Sequence, residues 1–401
     1  MRKNLARLTL KPGREKPILR DHPWIFSGAV AKIEGHPLSG ETVQVMSAAG
    51  NVLGLASFSP VSQIRARIWS VALNEEINAK YFEDKLRIAI NMRNSNNQIN
   101  NKNTNTYRLV HAESDLLPGL IVDRYADYLV VQYLSAGAEY WKEEIADSLV
   151  KITGIKNIYE RSDVEVRKLE GLIKRQGIMR GEEPLERIEI VENGLKFLVD
   201  IQHGQKTGFY IDQRENRKKL VNYAEDRKVL NCFCYTGAFT VYAIRGKSQY
   251  ITSIDSSQDS LELAKENVSL NYPNCHALDW IKGDVFVELR KFRDAHKKFD
   301  LIILDPPKFA PTARQVKSGA RGYKDINLLA FKLLNPGGIL FTFSCSGGIS
   351  SELFQKIVAG AALESGARVQ IIEQLHQSPD HPIALHFPEG EYLKGLICRV
   401  I

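Results

Sequence analysis

Two short strings near the C-terminal end carry residue types that could do chemistry together: Asp305-Pro306-Pro307-Lys308-Phe309 and Ser344-Cys345-Ser346-Gly347. Pyrimidine C5 is too poor a nucleophile to take a methyl group directly. Addition of a cysteine thiolate to C6 would make C5 enamine-like and able to attack a sulfonium methyl; loss of the C5 proton then expels the cysteine. Cys345 has the type for that role, and Asp305 could hold the protonated N3/N4 edge of a cytosine and stabilise developing charge. The two prolines stiffen the turn that presents the acid. Lys308 and Phe309 offer a cation and an aromatic face for a flipped base. A strand-end cysteine is more commonly a small apolar filler. Cys345 differs in lying between two serines, before Gly347-Gly348 and a helix start at Ser350-Ser351, whose positive end favours thiolate.

Each string follows a run that reads as a buried strand, Phe299–Leu304 and Gly338–Phe343. Residues just past the carboxyl ends of strands line the ligand crevice of an open α/β sheet. From about Glu186 onward, strand and helix patterns alternate. Strands are expected at Lys228–Cys234, Tyr250–Ile254, His276–Ile281, Phe299–Leu304, Gly338–Phe343, Arg368–Leu375 and Lys394–Val400. Helices are expected at Ala238–Ile244, Ser257–Leu270, Val285–Arg293, Lys324–Leu334 and Ser351–Ser365. That alternation predicts a doubly wound, Rossmann-like α/β sheet of seven strands. The last two strands lack a helix between them and suit an antiparallel hairpin, the pattern of class I methyltransferases rather than of dehydrogenases.

The first of these strands runs into Asn231-Cys232-Phe233-Cys234-Tyr235-Thr236-Gly237-Ala238-Phe239, a turn that opens directly into a helix. A dinucleotide would require G-x-G-x-x-G to admit its pyrophosphate. Tyr235 and Thr236 fill that space, whereas S-adenosylmethionine, which has no phosphate, tolerates it. Asp255 ends the second strand, where an acid can accept from both ribose hydroxyls. Asp284 ends the third, where a carboxylate can meet an adenine amino group. Each alone could equally be a helix cap. Upstream, His203–Arg214, with Gln205, Lys206, Thr207, Phe209 and Tyr210, reads equally as a surface hairpin or, if the Gly237 turn holds a cofactor, as a segment that could close over its methionine end. Asn231, Phe233, Tyr235, Thr236, Gly237 and Asp305 complete the expected cofactor set.

At 401 residues the chain is long enough for two or three domains. Residues 1–74 show short apolar runs broken by Gly and Pro, at Ala6–Leu10, Trp24–Val30, Thr42–Met46, Asn51–Phe58 and Ile64–Val71, the rhythm of a small β-barrel. Residues 75–185 read as a central α+β domain with helices at Glu75–Arg93 and Tyr140–Thr153. Its strands are expected at Tyr107–Ala112, Leu120–Leu134 and Asn157–Glu160, and the asparagine-rich tract at 94–106 reads as a mobile loop. Ile188–Val191 reads as a further strand after the middle unit's others, and residues 186–401 form the α/β domain.

The net charge is +7, and residues 1–74 hold ten Lys or Arg against four acids, so most of the excess lies there. An acidic partner, nucleic acid first, follows. Arg2, Lys3, Arg7, Lys11 and Arg20, with Lys308 and Phe309, are the expected RNA contacts. No apolar run approaches the roughly 20 residues that span a bilayer, and no apolar segment follows Met1-Arg2-Lys3 to make a secretory leader. Five cysteines give no disulfide framework and suit a cytoplasmic protein. Cys232, Cys234, Cys275 and Cys398 read as structural, His381 as a loop residue, and no spacing suggests a metal site.

Taken together the motifs are similar to those of the RlmI family, bacterial large-subunit ribosomal RNA cytosine-5 methyltransferases, and the similarity runs nearly the whole length. Arg20-Asp21-His22-Pro23-Trp24-Ile25-Phe26-Ser27-Gly28 resembles that family's opening PUA-type RNA-binding barrel. Ala112–Arg124 resembles its central domain, and Gln205–Tyr210, Asn231–Phe239, Asp305–Phe309, Ser344–Gly347 and Pro388–Gly395 resemble its catalytic domain. The resemblance implies an S-adenosylmethionine-dependent enzyme that makes 5-methylcytidine in 23S rRNA with Cys345 as nucleophile; a homodimer is left open. Two features depart from the pattern: the tract at 94–106 looks like an insertion, and Asn231 stands where generic methyltransferases often have an acid. Lys308 and Phe309 also occupy the stretch where many RNA cytosine methyltransferases carry a second cysteine that helps release product, so the acceptor of the C5 proton is unassigned.

Three other readings fit parts of the chain. A guanine or adenine N-methyltransferase would also use an acid-Pro-Pro turn, yet has no need of Cys345. A non-catalytic RNA-binding assembly factor has no need of Asp255, Asp284, Asp305 and Cys345 together. A nucleotide-dependent oxidoreductase conflicts with the Tyr235-Thr236-Gly237 turn.

Overall fold

Runs rich in Val, Ile and Leu, bounded by polar turns, form the strands of the second of two units into which the chain divides. A computed structural model describes residues 5–72, 74–310 and 312–401; Arg2 and Lys3 lie outside them. One unit comprises residues 1–191, 199–211 and 379–390, and the other 192–198, 212–378 and 391–401. The division is therefore not linear along the chain, unlike the expected cuts after residues 74 and 185.

In the second unit, β1 (Lys228–Cys232), β2 (Tyr250–Asp255), β3 (Leu278–Lys282), β4 (Phe299–Leu304), β5 (Leu334–Ser344), β6 (Val369–His376) and β7 (Lys394–Val400) make one sheet. Its order is β3-β2-β1-β4-β5-β7-β6. All pairings are parallel except those of β7, which runs antiparallel between β5 and β6, as expected. Strand order reverses between β1 and β4, where ligands bind in doubly wound sheets. Cys232 pairs with Leu304 and Leu304 with Thr342, so β1, β4 and β5 end side by side.

The helices are α1 (Arg214–Leu220), α2 (Ala238–Arg245), α3 (Gln258–Asn271), α4 (Val285–Asp294), α5 (Val316–Leu333) and α6 (Ser351–Ser365). Leu230, Ile302, Leu304, Leu340, Ile326, Phe354 and Leu396 are among the residues of the core between them and the sheet. The expected helix at Lys324–Leu334 instead begins at Val316. Gly319 and Gly322 argue against helix on propensity, but a Cβ at Gly319 would sit 2.7 Å from Ala310 Cβ. Close packing against the 305–310 turn selects glycine there.

The first unit holds two sheets. A six-stranded sheet orders Trp24–Phe26, Ile64–Ser70, Val52–Phe58, Thr42–Met46, Arg7–Leu10 and Val30–Glu34 around Leu8, Leu10, Ile25, Val43, Val45 and Phe58. The single run expected at Trp24–Val30 is split by a 3-10 turn at Ser27–Ala29. A five-stranded sheet orders Arg175–Arg180, Asn157–Ser162, Tyr128–Tyr133, Leu120–Tyr125 and Thr106–His111. Helices Ala79–Asn94 and Lys142–Thr153 pack against each other beside it. The Arg175–Arg180 strand departs from expectation; it is a polar edge strand with no buried residue to betray it. Asn78 caps the first helix, its side chain accepting from Tyr81 N, so that helix starts later than Glu75.

The asparagine-rich tract is folded rather than loose. Asn96 Oδ1 accepts from Gln98 N and Asn101 Oδ1 from Asn103 N, each at 2.9 Å, and Ile99 is 2% exposed. Asparagine closes turns with its own side chain, which composition alone reads as disorder.

Candidate active site

The turn after β1 takes three residues into the left-handed region: Phe233 (φ 60°), Tyr235 (φ 46°) and Gly237 (φ 77°). Two are not glycine, so local bonds must hold them. Cys234 N donates to Ile254 O at 3.0 Å, and Tyr235 N donates to Asp255 Oδ2 at 2.9 Å. Gly237 is required sterically, since a Cβ there would lie 2.7 Å from Ala264 Cβ on α3.

Asp255 thus braces the turn, its other oxygen accepting from Ser257 N at 2.9 Å. Ser257, not Asp255, caps α3. Asp284 is a helix cap, accepting from Val287 N at 3.2 Å. A carboxylate oxygen offers more than one lone pair, so both acids retain acceptor capacity at successive strand ends. Asn231 is 1% exposed and lies on the strand, donating from Nδ2 to Thr240 Oγ1 at 3.0 Å. Thr240 Oγ1 lies 2.8 Å from Ser253 Oγ. Asn231 is therefore a buried brace rather than an open ligand group. Thr236 is likewise buried, at 4%.

Asp305 and Cys345 follow the adjacent parallel strands β4 and β5 and both are half-buried. The Cys345 thiol donates to Pro306 O at 3.9 Å. Ser346 ties the two turns together. Its Oγ accepts from Ala310 N at 3.1 Å and lies 2.9 Å from the Tyr323 hydroxyl of α5. Its carbonyl accepts from Lys394 Nζ of β7 at 3.1 Å. Motif spacing alone does not single out Ser346, Tyr323 or Lys394. Lys394 does fall in the Pro388–Gly395 string, but nothing in the chain order links it to Cys345.

Lys308 is exposed, as a phosphate or base contact requires. Phe309, expected to offer an aromatic face, is instead engaged. Its ring lies 4.8 Å from Tyr323, 5.7 Å from Phe286 and 6.4 Å from Phe233. Phe233 is accordingly part of that aromatic group. Burial pushes the thiols of Cys232 and Cys234 well up and that of Cys398 up to about 12. These three are core residues, and Cys275 is half-buried.

Gln205, Lys206, Thr207, Phe209 and Tyr210 belong to the first unit. Thr207 is 2% exposed, donating to Asp123 Oδ2 at 2.7 Å and lying 2.8 Å from the Tyr125 hydroxyl. Phe209 N donates to the same tyrosine at 3.2 Å. Both are structural anchors. Lys206 Nζ sits 4.3 Å over the Tyr210 ring, whose hydroxyl bonds Gln205. His381 lies in a loop, as expected, but a buried one: it is 2% exposed, with its ring 5.2 Å from that of His111.

Arg7, Lys11 and Arg20 are exposed, as are Arg14 and Lys16. A cavity of about 230 Å³ beside the six-stranded sheet is lined by Arg14, Pro17, Trp24 and Phe26 among others. Arg67, by contrast, is buried against Glu170 at 2.8 Å. Among the described residues no cluster could hold a metal ion, and no helix is long and apolar enough to cross a membrane.

A seven-stranded sheet with an inverted last strand, a strained turn after β1 and acids ending β2 and β3 define an S-adenosylmethionine-dependent methyltransferase. Residues 177–396 match the family described as S-adenosylmethionine-dependent methyltransferase, and residues 8–71 match a PUA-like domain. A protein of Tolumonas auensis named ribosomal RNA large subunit methyltransferase I is 52% identical over 393 residues, 98% of each chain. A Yersinia pestis protein of that name is 50% identical over 396 residues, covering 99% of this chain and 100% of its own. The chain belongs to the ribosomal RNA large subunit methyltransferase I family. Two solved structures share the fold at TM-score 0.84, each covering 98% of this chain and all of its own. One is a provisionally named methyltransferase of this cofactor class from Streptococcus mutans, at 23% identity; the other is a provisionally named methyltransferase in complex with SAH, at 24%.

Proposed function

We propose that this enzyme methylates C5 of a cytosine in large-subunit (23S) ribosomal RNA through a covalent bond between Cys345 and C6. The observation that carries the reading is the thiol of Cys345 beside the Pro306 carbonyl, at 3.9 Å, at the carboxyl ends of β4 and β5 beside the end of β1, where the Phe233–Gly237 turn begins. The names of the full-length relatives support ribosomal RNA as the substrate.

The residues fit S-adenosylmethionine in the chemistry of their donors. Asp255 and Asp284 present acceptors at successive strand ends, where ribose hydroxyls and an adenine amine need them. The Phe233–Gly237 turn supplies backbone at a helix start. When bound, the cofactor supplies an electrophilic sulfonium methyl. Cys345 Sγ adds to C6 of the base, forming an S–C bond and moving the electron pair to C5. Asp305 holds the N3/N4 edge against the charge that develops. Once C5 carries its methyl, its proton passes to a base, the electron pair of the C5–H bond re-forms the C5=C6 double bond, the S–C6 bond breaks and the thiolate leaves. Gln205, Lys206 and Tyr210 are further proposed cofactor contacts, to be tested singly by titration.

Ribosomal RNA containing 5-fluorocytidine tests the reading, because C5 then carries no proton to lose and the adduct persists. A covalent complex dependent on Cys345 is expected. Cys345→Ala should bind cofactor with unchanged affinity and transfer no methyl. An active Cys345→Ala enzyme, or methyl on an exocyclic amine, would overturn it.

A further inference from the structure

We propose that Lys394 is a positioning residue for Cys345: its buried ammonium clamps the Ser346 carbonyl and supplies the positive potential that keeps the neighbouring thiol reactive. The inference rests on the reading of Cys345 as nucleophile and adds a residue to it.

Lys394 begins β7 and pairs with Ser344, the last residue of β5 and the one before Cys345. It is 5% exposed, with Nζ 3.1 Å from Ser346 O. Lysine is rarely buried to that extent without a partner of opposite charge. One carbonyl meets only part of the need of an ammonium with three donors. Three side chains bear on it: Glu391 from its own segment, Cys345 from the end of β5 and Lys308 from the turn after β4. Burial, the largest influence, weakens its hold on the proton; Glu391 and an ionised Cys345 strengthen it, and Lys308 opposes them. A thiolate at Cys345 and an ammonium at Lys394 therefore stabilise each other. This also gives the lysine a reason to be buried that backbone pairing does not supply.

The test follows the alkylation rate of Cys345 by iodoacetamide across neutral to alkaline pH, resolved by peptide mass spectrometry on the intact enzyme. Lys394→Met should raise the midpoint by about one pH unit, a roughly tenfold slower reaction at neutral pH, and Lys394→Arg should restore it. Cys232 and Cys398 serve as folding controls, since they react only on unfolding. Should Lys394→Met not fold, Lys394→Gln keeps a donor for the Ser346 carbonyl without the charge and must show the same upward shift. An unmoved midpoint in a folded uncharged variant overturns the proposal. Trapping of wild-type enzyme on 5-fluorocytidine RNA runs alongside. No adduct there overturns the nucleophile reading and this role with it, whereas an adduct with an unmoved midpoint overturns the role of Lys394 alone.

Discussion

The Tyr323 hydroxyl lies 2.9 Å from Ser346 Oγ, and the same oxygen accepts from Ala310 N at 3.1 Å. One buried serine thus fixes the turn bearing Cys345 to the turn bearing Asp305, with a helix as the third support. Burial raises the Tyr323 pKa above its ordinary value, so the phenol stays protonated and keeps a proton to donate. Tyr323→Phe should lower stability by about 1 kcal/mol, the net worth of one buried hydrogen bond. It should reduce kcat more than KM, because the loosened geometry matters most in the transition state. Urea denaturation and steady-state methyl transfer check both effects; an unchanged kcat would show that the serine is held adequately without the phenol.

Gly237 carries a different constraint. Its φ of 77° acts together with the short distance, 2.7 Å, that would separate an added Cβ from Ala264 Cβ. Gly237→Ala is expected to cost about 2 kcal/mol or more, since both the backbone and the α2–α3 contact must yield. Cofactor affinity, measured by calorimetry, should fall with it. A variant as stable as wild type would mean that α3 can shift freely.

The ion pair of Arg217 and Glu192 is closed on both sides, with Arg217 Nε 2.8 Å from Glu192 Oε1 and the Tyr242 hydroxyl 3.0 Å from the same oxygen. Arg217→Met leaves a buried carboxylate without its cation and should cost roughly 3–5 kcal/mol. Arg217→Met with Glu192→Gln should recover part of that loss. Chemical denaturation of wild type, Arg217→Met, Glu192→Gln and the double variant gives the coupling; additive losses would contradict it.

Legibility in the sequence follows the physical range of each signal. Strands such as Phe299–Leu304 and Lys394–Val400 are short, mostly apolar runs and are legible to the residue. The inverted last hairpin follows from the missing helix between two strands. Asp305 and Cys345 are legible because strand ends are. Ser346, Tyr323 and Lys394 are not, since they meet only through tertiary packing of β5, α5 and β7. Thr207 and Phe309 err the other way: each looks like a ligand group in a motif, yet one is bonded to Asp123 and the other packs on Tyr323. A motif reports that a residue is constrained, not which neighbour constrains it.

His111 should make the first unit acid-sensitive. Burial, then Arg108, His381 and Arg93 nearby, depress its pKa well below the ordinary value, opposed by Asp380. The unfolded chain then binds a proton that the folded chain resists. Stability contributed by this group is complete above about pH 6.5 and is lost as pH falls below it. The urea midpoint of wild type should drop from neutral to mildly acidic pH, and His111→Gln should flatten the drop. An equal slope in the variant would assign the sensitivity to other groups.

Arg7, Lys11 and Arg20 are exposed on the basic barrel, and Lys11 Nζ donates to Gly28 O at 2.9 Å. That bond places its ammonium beside the cavity walled by Arg14, Trp24, Phe26 and Gly28 itself. Phe26 is 50% exposed, an apolar face available for stacking on a base. If this face tracks an RNA backbone, replacing all three cations with glutamine removes up to three phosphate contacts. The slope of log affinity against log salt should then flatten by roughly two for a single-stranded segment. Phe26→Ala should instead weaken binding with little change in slope, because stacking releases no counterions. Filter binding of a ribosomal RNA fragment over a salt series separates the two effects. Unchanged affinity in the triple variant would move the RNA-binding face off this barrel.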